Sequence, residues 1–237
     1  VVVPRSLVAV ALAACGRIGF GELAPDTAPG PNLPGLVARY PMDGDFPGTV
    51  AADPPSFSGT CTNCPTPTAG VFAGAAAFDS TQYASVPAAL LDNQPYTVSV
   101  WASFGASSEY HQPVLGKSIT LASALDTFYL WFMPSSGNMV FETSSGTGVD
   151  GMGTPAMNLV GWHHYAASWD GTTKRLYVDG VLGAMAATTI VSSTEPIYIG
   201  TDADNGAVTD ELTGALDELR VYDHALSDGE VAELAVQ

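Results

Sequence analysis

From Tyr96 to Phe104 apolar and mostly polar residues alternate: Tyr96, Val98, Val100, Ala102 and Phe104 share one face, and Thr97, Ser99, Trp101 and Ser103 the other. A period of two is the pattern of a β-strand with one buried face. Thr127 to Met133 repeats it, with Phe128, Leu130 and Phe132 on one side and Tyr129 and Trp131 on the other. Asn138 to Thr143 is expected to pair back onto that strand across Pro134-Ser135-Ser136-Gly137. Next come three strand-like runs, Trp162–Trp169, Thr173–Val178 and Val181–Ala187, separated by Asp170-Gly171 and Asp179-Gly180. Asp-Gly pairs supply the positive φ that tight hairpins need, so this stretch predicts a three-stranded antiparallel meander. Pro196–Gly200 and Gly214–Tyr222 add further strands. One helix is predicted. Ser227 and Glu230 form a capping box, Leu226 and Val231 a hydrophobic staple, and the helix runs to about Ala235. No repeat of fixed period occurs. The pattern is that of an all-β sandwich closed by one short C-terminal helix.

The first residues follow another pattern. Arg5 precedes an apolar run, Ser6 to Ala14, that is too short to span a bilayer. It ends in Leu12-Ala13-Ala14-Cys15-Gly16, which resembles a bacterial lipobox. That resemblance implies lipidation of Cys15; the alternative is a buried strand with a core cysteine. Gly16 stands where an inner-membrane retention Asp would be, so the outer membrane or cell surface of a two-membrane bacterium is the expected location. Prolines 25, 29, 31 and 34 then favour an extended tether. The expected organisation is a leader over 1–14, a lipidated cysteine and tether over 15–35, and one domain over 36–237.

Composition narrows the function. The chain has 237 residues, enough for a sizeable core in a single sandwich. Only 13% of them are charged, so the polar surface is mostly Ser, Thr, Asn, Gln and Gly, which suits strands and turns. The net charge of −17 repels phosphate backbones, making nucleic acid a poor partner, and attracts divalent cations. Acidic loops can also serve solubility alone. With Cys15 lipidated, Cys61 and Cys64 remain as an even pair, and outside the cytoplasm they are expected to form a disulfide across Thr62-Asn63. A zinc site would need two more ligands, and a redox pair would sit at a helix start.

Several segments occur in a characteristic order. Leu36-Val37-Ala38-Arg39-Tyr40-Pro41-Met42-Asp43 opens the domain, and Ala77-Phe78-Asp79 leads on to Tyr83-Ala84-Ser85-Val86. Tyr96-Thr97-Val98-Ser99-Val100-Trp101, Trp162-His163-His164-Tyr165 and Leu176-Tyr177-Val178-Asp179-Gly180 follow. Gly214-Ala215-Leu216-Asp217-Glu218-Leu219-Arg220-Val221-Tyr222 closes the series. This ordered set, from about Leu36 to Leu234, resembles the laminin-G-like jelly-roll domains of the concanavalin A-like lectin and glucanase family, in the type 3 form. The resemblance implies two antiparallel sheets packed face to face. It also implies one structural calcium ion between the opening and closing strands, at positions matching Asp43 and Asp217, with Asp53 from the following loop. The alternative is that Asp43 caps a turn and Asp217 pairs with a basic or amide neighbour. Asp202, Asp204, Asp210 and Glu211 form a rival acidic group, read as a solvated loop.

Trp101, Tyr129 and Trp131 are candidate sugar-binding rings, since a flat apolar ring matches the C–H face of a pyranose; packing beneath loops is the alternative. His163 and His164 are strand neighbours pointing to opposite faces, a structural arrangement. Glycosidases on this fold use closely spaced carboxylates such as Glu-x-Asp-x-x-Glu, and no such run occurs. Asp217 and Glu218, being adjacent on a strand, are expected to project oppositely. No Gly-x-Ser-x-Gly elbow and no His-Glu-x-x-His motif is found. The expectation is therefore a non-catalytic surface module that binds carbohydrate or protein. The alternatives are a glycoside hydrolase or polysaccharide lyase on the same fold, or a passive adhesive or structural surface protein.

Overall fold

The computed structural model describes residues 31–44, 46, 48–91, 94–107, 110–157 and 160–236. The expected leader, the lipidation site Cys15 and the tether up to residue 30 lie outside the described residues. Among the described residues no helix is long and apolar enough to cross a membrane.

The chain opens with β1 (Leu36–Tyr40), β2 (Thr49–Val50), β3 (Gly59–Thr60), β4 (Thr66–Ala69), β5 (Gly74–Asp79) and β6 (Ala84–Val86). Longer strands follow: β7 (Tyr96–Phe104), β8 (Gln112–Ser118), β9 (Asp126–Met133), β10 (Asn138–Ser144) and β11 (Val149–Gly153). The meander is β12 (His163–Trp169), β13 (Thr173–Val178) and β14 (Val181–Ala187). The last elements are β15 (Ile197–Ile199), β16 (Asp202–Asp204), β17 (Ala207–Thr209), β18 (Thr213–Tyr222) and α1 (Asp228–Leu234).

The strands build two antiparallel sheets. The first runs β14-β13-β12-β7-β18-β5-β4, with β1 paired to the second half of β18. The second runs β11-β10-β9-β8-β15-β6-β3-β2. β16 and β17 form a separate hairpin. Pro67, which cannot donate to a ladder, is confined to β4 at an edge of the first sheet.

The core lies between the sheets. Val98, Val100 and Ala102 of β7, Tyr165 and Ala167 of β12, and Leu216, Leu219 and Val221 of β18 face it from one side. Phe128 and Leu130 of β9, Met139 and Phe141 of β10, and Ile197 and Ile199 of β15 face it from the other. Each large side chain so buried contributes about 1.5–3 kcal/mol, so the alternation in sequence selects the register of every strand.

Local chemistry closes the turns. Asp179 (φ 49°) and Gly180 (φ 75°) are both left-handed, as a two-residue type I′ hairpin requires. At the other meander turn, Asp170 Oδ1 accepts N–H bonds from Thr172 (3.0 Å) and Thr173 (2.8 Å). The capping box of α1 is complete. Leu226, Val231 and Leu234 press onto Ala166, Tyr177 and Tyr222, covering part of the outer face of the first sheet.

The expectation that Asp217 and Glu218 project oppositely is corrected. Leu216 and Leu219 both enter the core, so two residues lie between consecutive inward side chains. A bulge absorbs the extra residue: the register with β7 shifts between Asp217 and Arg220, and Glu218 takes φ 51°. Both carboxylates thereby serve the outer face of the first sheet.

Candidate functional site

The two outer faces differ. On the first sheet, Trp101 lies opposite Asp217 and is packed edge-on against Phe72 (6.2 Å) and His164 (5.5 Å). It is 3% exposed, so it is no platform for a ligand: the loop after β4 covers the polar face of β7 on which it stands. Asp217 holds that loop, accepting from the N–H groups of Val71 (2.8 Å) and Phe72 (3.0 Å), while Asp43 accepts from Gly74 N–H (3.0 Å). Burial raises the Asp217 pKa to about 7, with Glu218 and Asp43 adding to the shift against the two N–H bonds. Asp53 does not join them. It is exposed, and its backbone pairs with Arg39. The set Asp43, Asp53 and Asp217 thus fails to converge as a three-carboxylate cation site. Asp43 and Asp217 flank one loop and spend oxygens on its backbone.

His164 is buried, its Nε2 lies 2.7 Å from Ser99 Oγ, and burial lowers its pKa to about 3. His163 faces the other way and pairs with Asp179 at 2.8 Å. Both are structural, as the sequence implies.

On the second sheet, the register aligns a row across the outer face: Thr60, Ser85, Tyr198, Gly116, Tyr129, Glu142 and Gly151. Gly116 is the gap in this row. A Cβ there would meet Asp202 Oδ1 at 2.8 Å, so the missing side chain makes room for the β16–β17 hairpin to lie on the sheet. The hairpin divides the face in two.

On one side of it, Tyr83 and Tyr198 meet edge to face at 6.1 Å. With Thr60, Cys61, Thr62 and Ser85 they line a cleft of about 260 Å³. Both rings are half-buried, and among the described residues no charged side chain lines the cleft. The expected disulfide is present: Cys61 and Cys64 are bonded, with Cα atoms 5.0 Å apart, and it braces one rim. Neither tyrosine was singled out from sequence as a ligand contact. The alternation Ile197-Tyr198-Ile199 already points Tyr198 away from the core, but only the strand pairing brings it beside Tyr83.

On the other side, Tyr129 and Trp131 stack at 5.9 Å and His111 packs on Trp131 at 3.8 Å. The rings stand on the outer face, as expected, but are 2% and 4% exposed. They are therefore not open sugar platforms. Tyr110, 61% exposed, is the accessible ring of this group. Beside Tyr129 lie Asp126, Asp202 and Asp204, each offering a carboxylate oxygen within 4.8 Å of the others. Among the described residues they form the sole group of three acidic, histidine or cysteine side chains so close together. The reading of the 202–211 segment as solvated loop is corrected for its first residues: Asp202 is 2% exposed and Asp204 half-buried. Burial, then the neighbouring carboxylates Asp202, Asp204 and Glu142, drive the Asp126 pKa upward.

Known proteins support the architecture. The family profile described as the concanavalin A-like lectin/glucanases superfamily, in its laminin G type 3 form, matches residues 78–232. Comparison with curated proteins finds no match. Among solved structures, domain 4 of AbnA, an extracellular arabinanase from Geobacillus stearothermophilus in complex with arabinotriose, superposes with a TM-score of 0.67 at 20% identity, over 85% of this chain and 98% of that domain. A Trypanosoma rangeli sialidase gives 0.68 at 16% identity; the match covers 88% of this chain but 36% of the sialidase. The CBM40 of Ruminococcus gnavus IT-sialidase, bound to α2,3-sialyllactose, gives 0.52 at 18% identity, over 60% of this chain and 83% of that module.

Proposed function

This chain belongs to the concanavalin A-like lectin/glucanase superfamily, and from that premise we propose that it is a non-catalytic carbohydrate-binding module whose ligand lies between Tyr83 and Tyr198. One observation carries the reading: two half-buried tyrosine rings meet in an uncharged cleft whose other side chains include the hydroxyls of Thr60, Thr62 and Ser85. Rings offer apolar faces to sugar C–H groups, and hydroxyls offer paired donors and acceptors to sugar hydroxyls. The lack of a lining cation, in a chain of net charge −17, favours a neutral glycan over an acidic one. Similar folds in the arabinanase domain and the sialidase module are seen with oligosaccharides.

The close carboxylates Asp126 and Asp202 do not favour a hydrolase. They are 3% and 2% exposed, too deeply buried to flank a glycosidic bond in an open cleft. The module is proposed to be displayed by a lipid on Cys15, beyond a proline-rich tether; Cys15→Ser is expected to leave the detergent phase on partitioning.

A glycan array followed by calorimetry on the hits tests the reading. Neutral oligosaccharides are expected to bind without release of reducing ends, and Tyr83→Ala and Tyr198→Ala to weaken binding at least about tenfold, or 1.4 kcal/mol, at unchanged Tm. Binding to no glycan, or binding indifferent to both substitutions, removes the cleft from the account. Capture of a protein ligand instead would move the function to the alternative partner class.

A further inference from the structure

We propose that Asp126, Asp202 and Asp204 form a binding site for a hard divalent cation, calcium or magnesium, that fastens the β16–β17 hairpin to the outer face of the second sheet. Two consecutive strands and a hairpin distant in sequence meet there. Asp126 opens β9, Asp202 and Asp204 lie on β16, and Gly116 of β8 supplies the notch that seats Asp202. Oxygens bound to one calcium at about 2.4 Å lie up to about 4.8 Å from each other. The three carboxylates already meet that condition. An all-carboxylate set with no imidazole or thiolate selects hard cations rather than zinc or copper.

A second observation, separate from the acidic residues, points the same way. The Tyr129 hydroxyl is buried, with no hydrogen-bond partner among the described residues. Tyr129 pairs in register with Gly116, over which Asp202 sits, and the charge acting on it most strongly is that of Asp202, then Asp210, Asp126 and Glu142. A buried hydroxyl without a partner, on the position that faces Asp202 across Gly116, calls for a polar group beside it, and a cation with its bound water supplies it. One oxygen of each carboxylate, Oδ1, is likewise buried without a partner.

The local charge distribution leaves the site open to a cation. Among the described residues none of the three aspartates forms an ion pair. The histidine nearest to them, His111, acts on Asp204 but is already paired with Asp210 at 3.1 Å. Lys174 faces Glu142 and Asp150. The remaining influences on Asp126 and Asp202 are burial, further carboxylates and two polar neighbours, Ser118 beside Asp126 and the Ala203 backbone beside Asp202.

The test uses the full chain, stripped of metal and titrated with calcium, magnesium and terbium. Terbium luminescence excited through the adjacent Tyr129 and Trp131 reports occupancy at this place. Saturable luminescence, competed by calcium, is expected, together with a Tm that rises on adding calcium. Asp126→Asn and Asp202→Asn are expected to lose both responses, and Asp217→Asn, at the other buried aspartate, to keep them. Metal-free Asp202→Asn is expected to melt no lower than metal-free wild type, which separates loss of the site from loss of the fold. A wild-type chain with no saturable response to any of the three ions overturns the proposal. So does a response that survives Asp202→Asn or vanishes with Asp217→Asn.

Discussion

Two buried groups of carboxylates, one on each sheet, have been treated in opposite ways. On the first sheet Glu218, 2% exposed, is gripped by two guanidiniums: Arg39 through Nε (2.7 Å) and a second, shorter contact, and Arg220 at 3.0 Å. On the second sheet Asp126 and Asp202 are as deeply buried, yet among the described residues neither forms an ion pair with a Lys or Arg. A chain with only 7 Lys and Arg against 24 Asp and Glu has few cations to distribute. It places two of them on a single glutamate at a strained bulge, where φ is 51°. The Glu218 site is therefore complete in itself. The aspartate group is completed by protons or by a cation from outside, and it is consequently the part of the molecule that solution conditions can tune.

The largest test breaks the balanced side. Arg220→Met leaves Glu218 with half its counter-charge, and should cost about 3–5 kcal/mol, the usual loss when one partner of a buried pair is removed. Urea unfolding would show this as a lower midpoint at unchanged slope, and adding Glu218→Gln should recover part of it. A loss below about 1 kcal/mol would mean that the cluster is solvated in solution and that the contrast with the aspartates is false.

A substitution on the unbalanced side should go the other way. Asp202→Asn keeps shape and removes one buried charge. In metal-free protein it should stabilise by about 1 kcal/mol, the scale of one pKa unit, or roughly 2–4 °C in Tm for a domain of this size. Calorimetric scans of the two proteins side by side decide it, and destabilisation would show that the carboxylate is already satisfied within the chain.

The smallest effect is in pH. Burial raises the pKa of Asp126, Asp202 and Asp217 above the unfolded value of 3.8. The folded state then holds protons that the unfolded chain has released, so stability of the metal-free protein rises as pH falls through these raised values. His164 acts in the opposite sense. Its folded pKa is about 3 against 6.5 unfolded, so below about pH 6.5 the unfolded state gains a proton that the buried ring refuses. Metal-free protein should therefore gain stability as pH falls from about 9 towards about 4, less steeply below about 6.5, where His164 opposes the aspartates. Asp202→Asn or saturating calcium should reduce the slope in the upper interval. Melting curves at half-unit steps would reveal a profile without that slope, if the aspartates are not coupled to folding.

What was legible in the sequence was local. The strands at 96–104 and 127–133, the Asp-Gly turn at 179–180 and the capping box at Ser227 each arise from interactions within a few residues, and each is found where the pattern places it. The outward direction of Trp101, Tyr129 and Trp131 was legible too, because strand alternation alone sets it. Their burial was not, since the covers come from elsewhere: Phe72 over Trp101, and His111 over Trp131. The Glu218 bulge escaped notice because Leu216 and Leu219 reveal the extra residue only once both are seen in the core.

By itself the amino-acid sequence determined that this chain makes an all-β sandwich, which side chains of its regular strands leave the core, how the Asp179-Gly180 turn closes and where the helix begins. Periodicity, φ preference and capping act over a few bonds, and long-range contacts leave them unaltered except where a bulge such as that at Glu218 breaks the alternation. Tertiary structure decided which outward side chains meet. Gly116 and Asp202 stand far apart along the chain, as do Tyr83 and Tyr198; the pairing of β15 with β6 and β8 brings Tyr198 beside Tyr83 and delivers β16 over Gly116. An acidic stretch that looks solvated in one dimension becomes a buried carboxylate group when a glycine on another strand leaves room for it. That meeting depends on pairing between distant segments, and no local pattern encodes it.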